Sequence, residues 1–321
     1  MVTIYLFPLI VTVIAHHISI SFANEPTASA FPNCERLSGG VGFSVPRILC
    51  SDQPDTTSDY DTDSSVCCIP PRSDRLISHP NAFKLSQSMC GLIAVEDKIE
   101  NGTIAQRGEF PWMAKLIYSI IHVCSGTLIH PRYVLTARHC MKPQLLKVHL
   151  GVHDLQEESP EVQEINIFQT FKHNSYDVGL LRLAKSATVD GDFVRTICLP
   201  IFSRLRMYFP PKVIISGWGN TEKNRASHVL LKADTAVLKD DPECDMAYIV
   251  CVGGVNHRNH CPGDSGGPYQ AFSKYGRHPG ERVVQYGIIR DGTTYCSRPD
   301  YPSRGILVGY VLDWILDQME I

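Results

Sequence analysis

Short β-rich runs recur at close intervals through most of this 321-residue chain. From position 99 onwards, segments such as YVLTA, LKVHLGV, VGLLRLA, KVIISGWG and RVVQYGII alternate with turn residues. Many short strands at this spacing predict an all-β barrel or sandwich. The C-terminal YVLDWILDQMEI differs, because Val311, Trp314 and Ile315 recur at three- and four-residue intervals, which predicts a closing amphipathic helix.

The beginning of the chain and its cysteines indicate the compartment. Residues 1–23 start with an apolar run and end in Ser21-Phe22-Ala23, which predicts a secretory signal peptide cleaved after Ala23. A membrane anchor is the alternative, but the run is shorter than the roughly 20 apolar residues that span a bilayer. Twelve cysteines in a secreted chain predict disulfides in the extracellular space.

Several classes of function receive no support from the sequence. No CxxC pairs face each other with histidines at ligand spacing, so we predict no metal site, and no motif indicates a cofactor. The formal charge of -3 comes from interspersed signs without a basic stripe. Nucleic acid is therefore not an expected partner, and a membrane is not expected either.

Composition divides the chain into three further parts. Residues 34–68 are rich in Gly, Pro, Ser and Asp and have too few apolar side chains for a core, so this small domain needs disulfides. Its acidic run, SDQPDTTSDYDTDSS, is interpreted as a solvated loop in preference to a cation site. Residues 69–98 resemble a polar, proline-marked linker, and residues 99–321 form the β-rich domain.

Three separate segments each supply one member of a nucleophilic set. GDSGGP places Ser265 among glycines whose backbone N–H groups can approach an oxyanion, LTARHC supplies His139, and YDVGLLRL supplies Asp177. A hydroxyl is a poor nucleophile until a base takes its proton, and the base works best when a carboxylate fixes its tautomer. Each segment alone is weak evidence, but the three together predict covalent catalysis by serine.

With FPWMAKL, CSGTLIHPRYVLTARHC, ICLP, ISGWGNT and the terminal DWI, these blocks make residues 99–321 similar to the chymotrypsin-like serine proteases. The resemblance implies an all-β fold of two six-stranded antiparallel barrels, with the site in the cleft between them. It also implies a serine endopeptidase with His139 as general base, Asp177 as its orienting carboxylate and Ser265 as nucleophile. The backbone N–H groups of Gly263 and Ser265 would form the oxyanion hole.

The resemblance further implies synthesis as a zymogen. Lys98 precedes Ile99 at the place of the activating cut, and the new ammonium group of Ile99 would pair with Asp264. The expected partners are protein substrates, an upstream protease with basic specificity and a serpin-type inhibitor. Asn101 begins the only N-glycosylation sequon, NGT, and its use is left open.

Residues 34–68 end in Cys67-Cys68 and resemble the clip domains of arthropod proteases. Clip domains usually have three bridges, and the resemblance implies that this chain has lost one of them. This resemblance implies a haemolymph cascade of innate immunity, such as melanisation, Toll-type signalling or clotting, or a venom product. The implied disulfides are Cys34–Cys67, Cys50–Cys68, Cys90–Cys198, Cys124–Cys140, Cys244–Cys251 and Cys261–Cys296.

The substrate pocket departs from the family pattern. Asn259 occupies the floor position, where trypsin-like members have Asp, and an amide cannot pair fully with Lys or Arg. Arg290 replaces the usual Ser, Asp291 the usual aromatic and Ser303 a pocket-wall glycine, while Gly292 is kept. Two functions therefore remain: an active endopeptidase, which we favour, or a catalytically weak or inactive homologue acting as a binding cofactor or decoy.

Two features beside the expected triad add to this picture. Arg290 is expected near Asp177, where it either competes with His139 for the carboxylate or turns to solvent and pairs with Asp291. The loop before Asp177 is short, and Cys244 and Cys251 enclose only six residues, so we expect an open cleft on that side. Arg138, where the family has a small residue, leads to no prediction.

Overall fold

The computed structural model describes the backbone of most of the β-rich domain and of parts of the N-terminal region. The described ranges are 33–35, 41–46, 65–68, 75–93, 103–120, 122–189, 191–221, 225–238, 244, 246–253, 259–291 and 302–321. The predicted signal peptide and the acidic run lie outside them. Within these ranges, none of the helices is long and apolar enough to cross a membrane.

Strands dominate the described part of the chain. In chain order they are β1 (Asn33–Glu35), β2 (Val41–Pro46), β3 (Ser65–Cys68), β4 (Thr103–Ile104), β5 (Met113–Tyr118), β6 (Cys124–His130), β7 (Tyr133–Thr136), β8 (Leu145–Leu150), β9 (Gln163–Lys172), β10 (Gly179–Leu183), β11 (Lys212–Gly217), β12 (Leu231–Leu238), β13 (Ile249–Gly253), β14 (Pro268–Lys274), β15 (Glu281–Asp291) and β16 (Ser303–Leu307). The helices are α1 (Pro80–Ser86), α2 (Ser203–Met207) and α3 (Val308–Asp317), with a 3-10 turn at Arg138–Cys140.

The strands form two antiparallel barrels. The first is closed in the order β10-β7-β6-β5-β8-β9. The second runs β11-β14-β15-β16-β13-β12 and closes through pairing of β11 with β12, while β4 adds to the outer side of β12. The predicted pair of six-stranded antiparallel barrels with a C-terminal helix is therefore confirmed.

Buried polar side chains join the two barrels. Trp112 Nε1 donates to Gln270 Oε1 at 2.7 Å, and Gln270 Nε2 donates to Ser216 Oγ at 3.0 Å. Thr127 Oγ1 on β6 donates to Gln285 Oε1 on β15 at 2.6 Å. We call these five residues the barrel seam. Because a buried polar group is costly without a partner, the bonds of the barrel seam favour one relative placement of the barrels.

The predicted linker contains a helix, α1, which packs on α3. Pro80 begins α1, His79 caps it by accepting from the Asn81 backbone N–H, and Ala82 and Leu85 are buried. Asn81 Nδ2 donates to the carbonyl oxygens of Leu316 at 3.0 Å and Met319 at 2.6 Å. The described part of the linker, residues 75–93, is therefore packed on the β-rich domain.

The cysteines tie several of these segments together. Disulfides join Cys90 to Cys198, Cys124 to Cys140 and Cys244 to Cys251. Cys261 is also disulfide-bonded, but its expected partner Cys296 lies outside the described residues. Strands β1, β2 and β3 form a separate antiparallel sheet. The cysteine side chains expected to bridge residues 34–68 belong to the undescribed part: Cys34, Cys50, Cys67 and Cys68.

Candidate active site

The fold brings the three predicted chemical residues to the meeting of the two barrels. His139 lies in the 3-10 turn after β7, and Asp177 lies just before β10, which pairs with β7. Ser265 lies in the loop before β14 of the second barrel. The Ser125 backbone N–H on β6 donates to the Ser265 carbonyl oxygen at 2.8 Å, which fixes this loop against the first barrel.

His139 and Asp177 make a two-point contact. His139 Nδ1 lies 2.7 Å from Asp177 Oδ2, and the His139 backbone N–H donates to Oδ1 at 2.9 Å. Burial acts to raise the pKa of Asp177, but the bonds from His139 outweigh it and the pKa is lowered overall. An ionised carboxylate favours the proton on Nδ1, which leaves Nε2 as a proton acceptor.

Ser265 is half-buried, and its hydroxyl is turned toward β15. Oγ donates to the Arg290 carbonyl oxygen at 3.4 Å, which is a long contact. Among the described residues, no hydrogen bond joins Ser265 Oγ to the His139 ring in this state. Bonds of this type are often long or misaligned in an unliganded site and tighten when substrate binds.

The loop that carries Ser265 forms a tight turn with two available donors. Gly263 has a φ of 105°, and a Cβ there would lie 2.9 Å from Gly219 Cα, so the position requires glycine. The Asp264 N–H donates to the Cys261 carbonyl oxygen at 3.0 Å. The backbone N–H groups of Gly263 and Ser265 donate to none of the residues that the structure describes, so both can donate hydrogen bonds to an oxyanion.

The Asp264 carboxylate anchors this loop from behind. Oδ1 accepts from the Gly219 N–H at 2.8 Å and Oδ2 from the Cys261 N–H at 2.9 Å. A Cβ on Gly219 would lie 2.6 Å from both carboxylate oxygens, so the glycine allows this close packing. Burial raises the pKa of Asp264 to about 6 against the effect of these bonds. Lys98 and Ile99 lie outside the described residues.

The predicted pocket residues are described only in part. Asn259 and Ser303 are buried, and the Ser303 hydroxyl has no hydrogen-bond partner in the described part of the chain. Arg290 helps to lower the pKa of Asp177, but no salt bridge joins the two among the described residues, and both oxygens of Asp177 bond to His139. His139 therefore keeps the carboxylate. The side chain of Asp291 and all of Gly292 lie outside the description.

Arg138 has a place in the site for which the sequence led to no prediction. Its Nη1 donates to the carbonyl oxygens of His173 at 2.9 Å and Asn174 at 2.8 Å. These carbonyls belong to the short loop before Asp177. Arg138 thus ties the turn that carries His139 to the loop that positions the Asp177 carboxylate. Predicting this contact would have required the three-dimensional path of the loop.

Aromatic side chains from the two short loops pack together against α3. The Tyr176 ring lies 4.7 Å from the Tyr248 ring and 5.3 Å from the Tyr310 ring, measured between centroids. Tyr176 precedes Asp177 directly, and Tyr248 lies in the loop closed by Cys244 and Cys251. The short loops led to the prediction of an open cleft, and that prediction did not include this cluster of aromatic rings.

One group near the site superficially resembles a metal centre. Donor atoms of Cys124, His139 and Cys140 lie within 4.8 Å of one another. The two cysteines form a disulfide with each other, so neither offers the thiolate that a zinc ion requires. This group is therefore not a candidate metal site.

Comparison with known proteins gives consistent similarities. The family model described as Trypsin matches residues 99–315. The chain is 31% identical to CLIP domain-containing serine protease HP8 of Bombyx mori, over 81% of this chain and 82% of that protein. It is 29% identical to Phenoloxidase-activating enzyme 1 of Spodoptera litura, over 84% of this chain and 79% of that protein.

A solved structure extends the similarity over most of the chain. The crystal structure of the Drosophila Grass clip serine protease of the Toll pathway superposes with a TM-score of 0.67 at 25% identity. The superposition covers 91% of this chain and 98% of the Grass chain.

Proposed function

This chain belongs to the trypsin family of serine proteases, and from that premise we propose that it is a secreted endopeptidase made as a zymogen and activated by cleavage after Lys98. Residues 34–68 would be a degenerate clip domain, and residues 69–98 the linker that carries the activation site. Relatives named as a phenoloxidase-activating enzyme and as a protease of the Toll pathway favour an extracellular immune or melanisation cascade over a venom role.

The contact between His139 and Asp177 carries the proposed mechanism. As Ser265 Oγ attacks the substrate carbonyl carbon, its proton passes to His139 Nε2, and Asp177 stabilises the imidazolium. The N–H groups of Gly263 and Ser265 hold the negative charge that forms on the carbonyl oxygen. His139 then protonates the leaving amine as the C–N bond breaks, and water hydrolyses the resulting ester of Ser265.

The proposed activation acts through Asp264. Cleavage after Lys98 would create an ammonium group on Ile99, which pairs with a carboxylate already bonded to the Gly219 and Cys261 N–H groups. The pair would stiffen the loop that presents Gly263 and Ser265. The Cys90–Cys198 disulfide would keep the upstream segment attached after the cut.

A serine-reactive fluorophosphonate probe tests the proposal. We expect strong labelling of the protein after verified cleavage between Lys98 and Ile99, because only an activated serine reacts at a useful rate. Labelling should disappear in Ser265→Ala. In Lys98→Gln the activating protease has no basic residue to cleave after, so treatment with that protease should not increase the labelling. If the cleaved wild-type protein is not labelled, the proposal fails and the chain is an inactive homologue that acts by binding.

The same preparation tests substrate specificity. A peptide library should show few cuts after Arg or Lys, because Asn259 offers a neutral amide at the pocket floor. Asn259→Asp should raise kcat/KM for Arg substrates about 10- to 100-fold, since a hydrogen bond to a charged group is worth about 1.5–3 kcal/mol. Asn259→Leu is the matched control and should bring no gain. A wild-type profile dominated by cuts after Arg contradicts this assignment of Asn259.

The inactive homologue is the second candidate, and specific observations favour it. The Ser265 hydroxyl contacts the Arg290 carbonyl oxygen in place of the His139 ring. The Ser303 hydroxyl is completely buried and adds bulk where the family has glycine. This candidate predicts a folded, cleaved protein that neither labels nor turns over peptides.

A further inference from the structure

Lys115 is a buried cation that makes no hydrogen bond to the part of the chain that the structure describes. It lies on β5 with 6% of its surface exposed, and its Nζ has no hydrogen-bond partner among the described residues. A buried ammonium group in that condition is strongly unfavourable. Among the described residues the other buried lysine, Lys232, shows the usual solution, because its Nζ bonds Glu109 Oε1 at 2.6 Å. The position of Lys115 therefore needs an explanation.

Lys115 reaches from the first barrel to the second. Side chains alternate along a strand, so Met113 and Lys115 lie on the same face of β5. Met113 Sδ accepts a hydrogen bond from Ser216 Oγ on β11 at 3.2 Å. Lys115 Nζ lies 5.8 Å from the centroid of the Trp218 ring. Its charge is thus placed against the segment from position 216 to position 219.

The same segment holds the Asp264 carboxylate. The Gly219 N–H bonds Oδ1, and the carboxylate packs closely on Gly217 and Gly219. Burial lowers the pKa of Lys115 to about 8, and the charge of Asp264 acts in the opposite direction. Lys115 is therefore mainly protonated at neutral pH.

The other titratable neighbour does not supply a competing charge. His122 lies near Lys115, and its pKa is lowered first by burial and then by the charges of Lys142 and Lys115. His122 is therefore neutral at pH 7. Among the described residues, Lys115 is the cation that interacts electrostatically with Asp264.

We propose that Lys115 is a positioning residue that gives Asp264 an internal counter-charge and so holds the loop of Gly263 and Ser265 in place before the activating cut. This inference rests on the proposed function, because it assigns a purpose to the ordering of the oxyanion donors. After the cut, the ammonium of Ile99 would be a second positive charge beside the Asp264 carboxylate, in addition to Lys115. The intact chain should consequently retain a low reactivity.

Hydrogen exchange of the full-length, uncut chain tests the inference without relying on activity. In a Ser265→Ala background, Lys115→Met should accelerate exchange of the Gly219 and Cys261 amides about tenfold, because their bonds to Asp264 lose the supporting charge. The melting temperature should fall less than in Lys232→Met, because Lys115 Nζ has no hydrogen bond to lose among the described residues. Lys115→Arg keeps the positive charge, so the Gly219 and Cys261 amides should exchange as slowly as in the parent protein.

Lys232→Met is the matched control. It removes a paired buried lysine, so it should lower the melting temperature and leave the exchange of the Gly219 and Cys261 amides unchanged. In the active background, Lys115→Met should abolish the slow probe labelling of the uncut chain and lower kcat of the cleaved protein about tenfold, less than the 10²–10³ for loss of a whole oxyanion donor.

The outcomes separate this inference from the proposed function. Unchanged exchange at Gly219 and Cys261 in Lys115→Met overturns the inference, even if the cleaved wild-type protein is fully active. Accelerated exchange supports it, even if the cleaved protein proves inactive. If Lys115→Met folds poorly, Lys115→Gln is measured in the same way, and unchanged exchange in that variant also overturns it.

Discussion

Replacement of Asp177 by Asn should lower kcat of the activated protein by about 10⁴-fold and leave its fold intact. The carboxylate accepts from both His139 Nδ1 and the His139 backbone N–H. An amide can still accept from the backbone, but its NH₂ group would donate to Nδ1 and move the ring proton to Nε2. The base would then be unable to accept the proton of Ser265. Turnover of a peptide substrate gives kcat, and thermal unfolding reports the fold.

Asp192→Asn provides a matched control for this substitution. Asp192 is an exposed carboxylate bonded to Arg195 Nη2 at 2.7 Å, and it has no role in the proposed mechanism, so kcat should not change. A loss smaller than tenfold in Asp177→Asn would show that this carboxylate does not orient the base.

Replacement of Trp112 by Ala should lower the free energy of unfolding by about 3–5 kcal/mol. The ring is completely buried, and its loss would leave a cavity at the barrel seam. It would also leave Gln270 Oε1 without the 2.7 Å bond from Trp112 Nε1. Urea denaturation with the disulfides intact measures the change.

Two further substitutions separate the causes of this loss. Trp112→Phe keeps most of the volume and removes the hydrogen bond, so it should cost about 1–3 kcal/mol. Phe168→Ala removes an aromatic ring that is 65% exposed and should change stability by less than about 0.5 kcal/mol. A cost below about 1 kcal/mol in Trp112→Ala would contradict the importance of the barrel seam.

The sequence predicted what depends on local pattern and recognisable motifs. The spacing of the short strands predicted a barrel or sandwich, and the resemblance to the chymotrypsin-like proteases implied two barrels. The helical spacing of Val311, Trp314 and Ile315 predicted α3, although α3 begins earlier, at Val308. Segments that contain His139, Asp177 and Ser265 stood out because their residue types suit one another chemically. The structure brings these segments together, while their catalytic roles remain proposals.

Contacts between distant segments were beyond the reach of pattern. Arg138 gains its role from carbonyl groups of residues 173 and 174, whose position depends on a loop fold. Lys115 in the run WMAKLIY looks like an ordinary lysine on the outer face of a strand. It is buried only because the second barrel packs against that face, which a single strand's alternation does not reveal.

The contact between α1 and α3 decides what the smallest stable form of this protein is. A helix ends in carbonyl groups that its own backbone cannot satisfy, and for α3 a side chain upstream of the proposed cut, Asn81, bonds the Leu316 and Met319 carbonyl oxygens. Polypeptide that begins at Ile99 would lack this cap and would leave Cys198 as an unpaired thiol. If the proposed cut is made, the segment upstream of it would remain a structural part of the two-chain protein, and reduction of the Cys90–Cys198 disulfide should release this segment and destabilise the rest.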